Sequence, residues 1–159
     1  HLLKNSKKLI VLKAFTKLYG MAGVRLGYCL CSDTELLAWM RAAGQPWAVS
    51  SLAQAAGIAA LADTEYGAKV RALIEAQRPV LADGLRALGL RVIEGRANYL
   101  LFRAPEALGE ALRRKGAVLR SCGNYPGLDA SWYRTAVRTE NENRQLLALL
   151  AETLPEVAQ

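Results

Sequence analysis

The sequence predicts an α/β protein that ends in a small β-β-α-β-β-α sandwich domain. Two apolar runs, Leu9–Leu12 and Val24–Cys31, lie on either side of a glycine-rich stretch, and each has the length and composition of a strand. After Gly89, short apolar runs alternate with capped helical patterns in the order strand, strand, helix, strand, strand, helix. This order is typical of a compact domain in which helices cover a sheet.

Length and composition place the chain among globular proteins. It has 159 residues, of which 52% are apolar, enough for one domain with a sizeable core or for parts of two. No apolar run approaches the ~20 residues that a membrane-spanning helix needs, so we expect no membrane partner. The chain opens without an initiator methionine or a signal-peptide pattern, and we expect it to be part of a longer protein.

The net charge of +7 is compatible with three explanations. Nucleic-acid binding is one, but the basic residues are scattered and the longest run, Arg113-Arg114-Lys115, is short, so we expect no nucleic-acid partner. A positive field would also favour an anionic cofactor and a doubly anionic substrate. The same excess would arise if a more acidic part of the protein were absent.

The cysteines argue against a metal site. The three residues, Cys29, Cys31 and Cys122, are odd in number and lack the spacing of zinc ligands. Cytosolic proteins keep such thiols reduced. We therefore expect free cysteines, no bound metal and a cytoplasmic location.

The first part of the chain carries two helical patterns after its strands. A capping-box pattern begins at Ser32, and its helix should end at Gly44. Ser50 or Ser51 should cap an alanine-rich helix that runs to about Ala62.

A long helical pattern, Thr64–Leu88, follows, with a kink expected where Pro79 removes a backbone donor. The remainder has four strand patterns and two helical ones. They are strands Leu90–Glu94 and Asn98–Arg103, a helix from Pro105 to before Gly116, strands Ala117–Ser121 and Trp132–Arg138, and a helix from Glu140 to about Leu154 with Thr139 in a capping box.

The stretch between the first two strands carries residues suited to covalent and phosphate chemistry. Lys17 follows a run that we expect to be a buried strand, where loss of hydration favours the neutral amine that forms Schiff bases. Thr16 offers a hydroxyl donor and Arg25 a forked permanent charge, and both suit a phosphate group. The alternative is a surface lysine and a structural arginine beside a glycine turn, and the combination of features favours the functional interpretation.

The order of these residues is Phe15-Thr16-Lys17 followed by Gly23-Val24-Arg25-Leu26-Gly27-Tyr28. This pattern resembles the cofactor-lysine segment of fold-type I pyridoxal-phosphate enzymes, the aspartate aminotransferase superfamily. The resemblance implies that the cofactor is pyridoxal 5'-phosphate and that Lys17 is the catalytic residue that forms a Schiff base with it. It also implies that Thr16 and Arg25 bind the cofactor phosphate.

Two arginines in the last part of the chain are candidates for binding a substrate anion. Arg120 and Arg134 lie on, or at the end of, strands that are otherwise apolar, where an unpaired guanidinium would be costly. Each should therefore meet something anionic. An ion pair with Asp129 or Glu94 is the alternative for either arginine.

The segments around these arginines are Arg120-Ser121-Cys122-Gly123-Asn124-Tyr125-Pro126-Gly127-Leu128 and Tyr133-Arg134-Thr135-Ala136-Val137-Arg138-Thr139. They resemble the C-terminal domain of the histidinol-phosphate aminotransferase group, and their residue pattern is more similar still to that of the threonine-phosphate decarboxylase group. The resemblance implies that Arg134 binds the substrate α-carboxylate and that Arg120 helps to bind the substrate phosphate. We expect Arg138 to form a structural ion pair, and Asn124 and Tyr125 to be loop residues near the pocket.

The resemblance covers nearly the whole chain but only about the C-terminal half of a family member. It implies the C-terminal part of a fold-type I PLP-dependent transferase: a remnant of the large cofactor-binding domain over 1–63, a long interdomain helix over 64–88, and the small domain over 89–159. The full-length protein is expected to be a homodimer that acts on a small phosphorylated amino acid, and this part alone is expected to be inactive.

The resemblance favours PLP-dependent decarboxylation of L-threonine O-3-phosphate, a reaction of cobalamin biosynthesis. Histidinol-phosphate-aminotransferase-like transamination is the alternative within the same enzyme class, since the bond that stands perpendicular to the cofactor ring is the one that breaks. A catalytically empty basic domain that binds nucleic acid or another anionic partner is the alternative from a different class.

Overall fold

The computed structural model describes residues 2–157, which form two compact units, one ending at Val70 and the other beginning at Arg71. The first unit contains α1 (Leu2–Asn5), β1 (Ile10–Ala14), β2 (Gly27–Cys31), α2 (Thr34–Ala43), α3 (Ser51–Ala62) and the start of α4 (Thr64–Ala87). The second contains the rest of α4, then β3 (Arg91–Ile93), β4 (Tyr99–Arg103), α5 (Leu108–Arg114), β5 (Arg120–Ser121), β6 (Trp132–Ala136) and α6 (Glu140–Val157).

Strands β1 and β2 pair with each other in an antiparallel sheet of two strands. Gly27 has to be a glycine, because a Cβ there would lie 2.9 Å from the Lys13 carbonyl oxygen. The expectation that the first strand is fully buried is wrong, since Leu12 is 74% exposed and Ile10 is 38% exposed. A sheet of only two strands has little surface with which to bury its own side chains.

Side-chain caps begin helices α2 and α3. Asp33, rather than the predicted Ser32, caps α2, and its Oδ1 accepts from the backbone N–H three residues on at 3.0 Å. The helix begins one residue later than the capping box predicts, and the Ser32 hydroxyl donates to the Ser6 carbonyl at 3.0 Å. The predicted cap at Ser50 is confirmed, with its Oγ accepting from the Ala53 N–H at 3.2 Å.

The second unit is built on an antiparallel sheet of four strands in the order β3-β4-β6-β5. The predicted β-β-α-β-β-α succession is confirmed. One face of the sheet packs against α4, α5 and α6, and the large residues of this core are Leu81, Leu85, Leu100, Phe102, Leu108, Leu112, Tyr133 and Leu150.

The second half of α4 belongs to this core. Leu81 and Leu85 are both fully buried within it. A helix that we predicted to stand between two domains therefore contributes directly to the packing of the second unit. The predicted domain boundaries at 63/64 and 88/89 remain predictions.

Several elements of the second unit are shorter than predicted. Helix α5 begins at Leu108 rather than Pro105, because the Leu108 N–H closes a turn onto the Pro105 carbonyl at 3.0 Å. It ends, as predicted, before Gly116, which adopts a left-handed φ of 86°.

Among residues 2–157, no helix is long and apolar enough to cross a bilayer.

The N-terminus of α6 is held by Arg138, Thr139 and Glu142. The Thr139 N–H donates to Glu142 Oε2 at 3.2 Å, which is the glutamate half of the predicted capping box. Arg138 Nη2 lies 2.6 Å from Glu142 Oε1, so the structural ion pair predicted for this arginine is confirmed. These contacts hold the pKa of Glu142 at about 2, below its usual 4.5.

The pKa of Glu142 predicts acid-dependent stability. Because Arg138 and Thr139 favour its charged form in the folded chain, the carboxylate stabilises the fold above pH 4.5 and loses this effect as the pH falls toward about 2. Glu142→Gln should lower the free energy of unfolding at neutral pH and make its decline between pH 5 and 2.5 shallower. Denaturant unfolding of the chain across this range measures both effects.

The matched control is Glu106→Gln. Glu106 is exposed and has no ion-pair partner among residues 2–157. This variant should follow the wild-type pH profile. A Glu142→Gln chain that loses stability with acid as steeply as the wild type would contradict the assignment.

Candidate active site

The predicted cofactor residues lie in loop 15–26, which connects β1 to β2. The two ends of the loop are joined, since the Phe15 N–H donates to the Leu26 carbonyl at 3.2 Å. Within the loop, the Gly20 N–H donates to the Lys17 carbonyl at 3.2 Å. Backbone hydrogen bonds therefore close the loop at its base and form a turn after Lys17.

Phe15 anchors this loop to the first unit. Its side chain is only 3% exposed and stacks on Tyr19, with ring centroids 5.1 Å apart. Gly57 of α3 lies against the same place, because a Cβ there would be 2.5 Å from Leu26 Cδ2 and 3.7 Å from the Phe15 ring. A larger residue at Gly57 would require the Leu26 side chain to move, so the glycine allows α3 to approach the loop closely.

Thr16 and Arg25 flank the joined ends of the loop. Thr16 follows Phe15 and Arg25 precedes Leu26, so both residues lie just inside the hydrogen bond that joins the ends of the loop. Thr16 is half-buried and Arg25 is exposed. Arg25 has a φ of 58°, a region that a residue with a side chain seldom adopts. The fold thus holds this arginine in an unusual backbone conformation at the base of the loop.

The charges of the loop are not neutralised within the part of the chain that the structure describes. The Arg25 Nη1 donates to the Ala22 carbonyl at 3.4 Å, and no carboxylate oxygen of residues 2–157 lies within 4.0 Å of the guanidinium. Lys17 is exposed. The loss of hydration expected for Lys17 is therefore not seen, because the strand before it is itself uncovered.

The second predicted group lies on the outer face of the four-stranded sheet. The pairing of β5 with β6 places Arg120 directly opposite Arg134. In β6, Tyr133 and Thr135 point inward and are buried, whereas Arg134 points outward and is half-buried. The two arginines thus lie on the outer face of the sheet, and the otherwise apolar strands that carry them do not bury them in the core. Like charges directly opposite each other on neighbouring strands are destabilising.

Each guanidinium of this arginine pair is supported by an aromatic ring. The Arg134 Cζ lies 4.7 Å from the centroid of the Tyr99 ring. The Arg120 Cζ lies 5.9 Å from the centroid of the Tyr125 ring, and its Nη2 donates to Asn124 Oδ1 at 3.2 Å. These neighbours orient the guanidinium groups without cancelling their charge.

The ion pairs considered as alternatives for this arginine pair are not formed. Asp129 instead accepts from Ser131 and lies 3.6 Å from Arg103. The hydrogen bonds from Ser131, followed by the charge of Arg103, hold the pKa of Asp129 below its usual range. Glu94 pairs with Arg86.

No carboxylate oxygen within residues 2–157 comes within 4.0 Å of either guanidinium of the arginine pair.

The structure brings the three predicted cofactor residues, Thr16, Lys17 and Arg25, together in one loop of the first unit. It brings together Arg120 and Arg134 in one sheet of the second.

Tyr99 is the neighbour of the arginine pair that sequence reasoning missed. The signal was present in β4, where Leu100 and Phe102 are buried on the inner face and Tyr99 is 41% exposed on the outer one. Strict alternation along a strand would have placed Tyr99 on the same face as Arg134 once the pairing of β4 with β6 was known. The sequence does not encode that pairing locally.

Comparisons with known proteins identify the family of this chain. Residues 1–150 match the family model for aminotransferase class I and II. Threonine-phosphate decarboxylase from Salmonella typhimurium is 38% identical over 98% of this chain and 44% of its own length. Histidinol-phosphate aminotransferase from Anaeromyxobacter is 40% identical over 91% of this chain and 40% of its own length.

A solved structure gives the same result for the fold. The histidinol-phosphate aminotransferase from Clostridium acetobutylicum has a TM-score of 0.91 and 31% identity, covering 97% of this chain and 48% of that one. The chain thus spans less than half the length of the relatives it matches. Enzymes of the matched family use pyridoxal phosphate. This chain belongs to the aminotransferase class I and II family and has the fold of fold-type I pyridoxal-phosphate enzymes.

Proposed function

We propose that this chain supplies the cofactor lysine and the substrate-binding arginines of a PLP-dependent decarboxylase that acts on L-threonine O-3-phosphate in cobalamin biosynthesis. The observation that carries the proposal is the arginine pair: Arg120 and Arg134 are cross-strand partners, and no carboxylate oxygen of residues 2–157 lies within 4.0 Å of either guanidinium. Phosphothreonine presents a carboxylate and a phosphate on one small molecule, so it offers one anion to each guanidinium.

The residues of loop 15–26 have the donor chemistry that pyridoxal phosphate requires. Thr16 offers a hydroxyl and Arg25 offers a guanidinium whose charge no carboxylate of the described chain neutralises. A Cβ at Gly20 or Gly23 would meet nothing within 4 Å, so the turn leaves open space for a phosphate group. Thr16 and Arg25 would bind the cofactor phosphate, and the Lys17 amine would hold the cofactor covalently.

When bound, pyridoxal phosphate supplies an electron sink for the charge that develops at the substrate Cα. The role of this chain is then to choose the bond that breaks. Arg134 can bind the substrate carboxylate through both Nη atoms while the Tyr99 ring packs against one face of its guanidinium. Arg120 can bind the phosphate, which fixes the far end of the substrate. Holding both ends sets which bond at Cα stands perpendicular to the cofactor ring.

Transamination of the histidinol-phosphate type is the second candidate. It is supported by the aminotransferase from Anaeromyxobacter, which is 40% identical to this chain, a value similar to the 38% of the Salmonella decarboxylase. Histidinol phosphate has a phosphate but no carboxylate, so in that reaction Arg134 would serve the carboxylate of the second substrate. The homodimer, the cytoplasmic location and the inactivity of this part alone remain predictions.

The assignment of Lys17 predicts where the cofactor is attached. In the full-length enzyme, borohydride reduction should fix pyridoxal phosphate to Lys17, and peptide mapping by mass spectrometry should locate it there. Lys17→Ala should abolish both the adduct and turnover, because no other amine of loop 15–26 can replace it. Lys13→Ala, which removes an exposed lysine of β1, is the control and should retain both. An adduct that persists on another lysine of the Lys17→Ala enzyme would mean that the assignment is wrong.

The arginine pair predicts the substrate preference. The full-length enzyme should release CO₂ from O-phosphothreonine and should not transfer the amino group of histidinol phosphate. Arg134→Ala should cost about 2–5 kcal/mol of transition-state stabilisation, the scale for leaving one partner of a buried charge pair alone. Arg120→Ala should weaken phosphorylated substrates and spare unphosphorylated amino acids, because only the former carry the second anion.

Arg91→Ala is the matched control for this prediction. Arg91 lies on the same outer face, over the Trp132 ring, and is exposed. Its loss changes the charge of the face by the same amount without touching the arginine pair. Amino transfer from histidinol phosphate with no CO₂ from phosphothreonine would assign the enzyme to the aminotransferase reaction instead.

A further inference from the structure

The turn after β5 is built to hold one geometry. Cys122, only 3% exposed, anchors it, and its N–H donates to the Trp132 carbonyl at 2.8 Å. The Tyr125 N–H donates to the Cys122 carbonyl and the Leu128 N–H to the Tyr125 carbonyl, both at 3.0 Å. Asn124 and Tyr125 are therefore carried by a turn that is tied to strand β6 and closed by its own hydrogen bonds.

Close packing fixes the same turn from the other side. A Cβ at Gly123 would lie 3.1 Å from Ala130 Cα and 3.2 Å from its nitrogen. Gly127 has a φ of 85°, which favours glycine. The backbone before Asn124 is thus closely packed at Gly123, and the turn ends with a left-handed glycine at Gly127.

Arg120 depends on this turn for its position. It lies exposed on β5, at the edge of the sheet, where a long side chain would otherwise sample many rotamers. Two contacts restrict it: its Nη2 donates to Asn124 Oδ1 at 3.2 Å, and its Cζ lies 5.9 Å from the Tyr125 ring centroid. Asn124 and Tyr125 therefore orient the guanidinium of Arg120, the cross-strand partner of Arg134.

The hydrogen bond to Arg120 determines which polar atom of the Asn124 amide remains available to a ligand. A guanidinium can only donate, so the amide atom facing Arg120 has to be the oxygen. This leaves Nδ2, with two N–H donors, as the polar group that Asn124 can present to a ligand. The site then contains two guanidinium groups and one amide N–H group, all of which are donors. A phosphate monoester dianion, whose free oxygens all accept, matches such a set.

We propose that Asn124 is a phosphate-specificity residue of the site: its Oδ1 accepts from Arg120 and holds that guanidinium in place, and its Nδ2 donates to an oxygen of the substrate phosphate. Tyr125 is a positioning residue that supports the face of the Arg120 guanidinium. This assignment rests on the proposed role of Arg120 in binding phosphate. It does not depend on which bond of the substrate breaks.

The test uses inorganic phosphate as the probe and the full 159-residue chain. Phosphate is titrated while the Nε–Hε signals of Arg120 and Arg134 are followed by NMR at constant ionic strength. Asn124→Ala should weaken binding about 10-fold or more, the equivalent of one hydrogen bond to a charged group. Asn124→Asp should weaken it about 100-fold or more, because the carboxylate pairs with Arg120 and the N–H donors are lost.

Matched variants separate these effects from general ones. Asn141→Asp makes the same charge change at an exposed position of α6 and should bind phosphate within about 2-fold of the wild type. Tyr125→Phe should bind normally, whereas Tyr125→Leu should weaken binding about 2–5-fold through loss of the cation–π contact. In Asn124→Ala, the Arg120 signal alone should change in the absence of phosphate, since its fixed geometry is lost.

The outcomes distinguish this inference from the proposed function. Phosphate binding that Arg120→Ala removes but that both Asn124 variants leave intact would overturn the role of Asn124 and keep that of Arg120. Binding that ignores Arg120→Ala as well would overturn both. Binding that needs Arg120 and Asn124, in a protein whose full-length form releases no CO₂ from phosphothreonine, would support this inference and reject the decarboxylase reaction.

Discussion

The proposed substrate site of the second unit depends on the strand register that places two arginines opposite each other on neighbouring strands. Arg120 and Arg134 carry permanent charges of the same sign, and no carboxylate of the described chain lies within 4.0 Å of either. The unit tolerates the pair because the arginines lie on the outer face, open to water, where screening reduces the repulsion. An anion between them would turn this repulsion into two charge-assisted contacts.

The opposite face of the sheet makes this arrangement possible. Leu81 and Leu85 of α4 pack with Phe102 of β4 and Leu150 of α6 in a core that fixes the order of the strands. That order puts β6 between β4 and β5, so that Arg134 has Arg120 on one side and the Tyr99 ring within reach on the other. The apolar core on the inner face and the charged pair on the outer face are consequences of the same alternation along each strand.

Much of this could be predicted from the sequence, and each prediction that failed has a physical reason. Periodicity and caps predicted the succession of elements, and the residues that carry the family resemblance lie where loops and strand ends were expected. Ser32 failed as a cap because the helix begins one residue later, which gives the N-cap position to Asp33. Burial of the strand before Lys17 failed because an apolar run does not specify what covers it. The opposition of Arg120 and Arg134 depends on strand register, which no short stretch of sequence encodes.

The stability of the chain with and without phosphate tests the central claim most directly. At constant ionic strength, replacing chloride by phosphate should raise the thermal midpoint of the wild type, since phosphate binds only the folded arginine pair. Arg134→Gln should raise the midpoint in chloride by roughly 1–6 °C, as one like-charge contact is removed, and should abolish the response to phosphate. A variant that is less stable in chloride and still gains stability from phosphate would contradict the account.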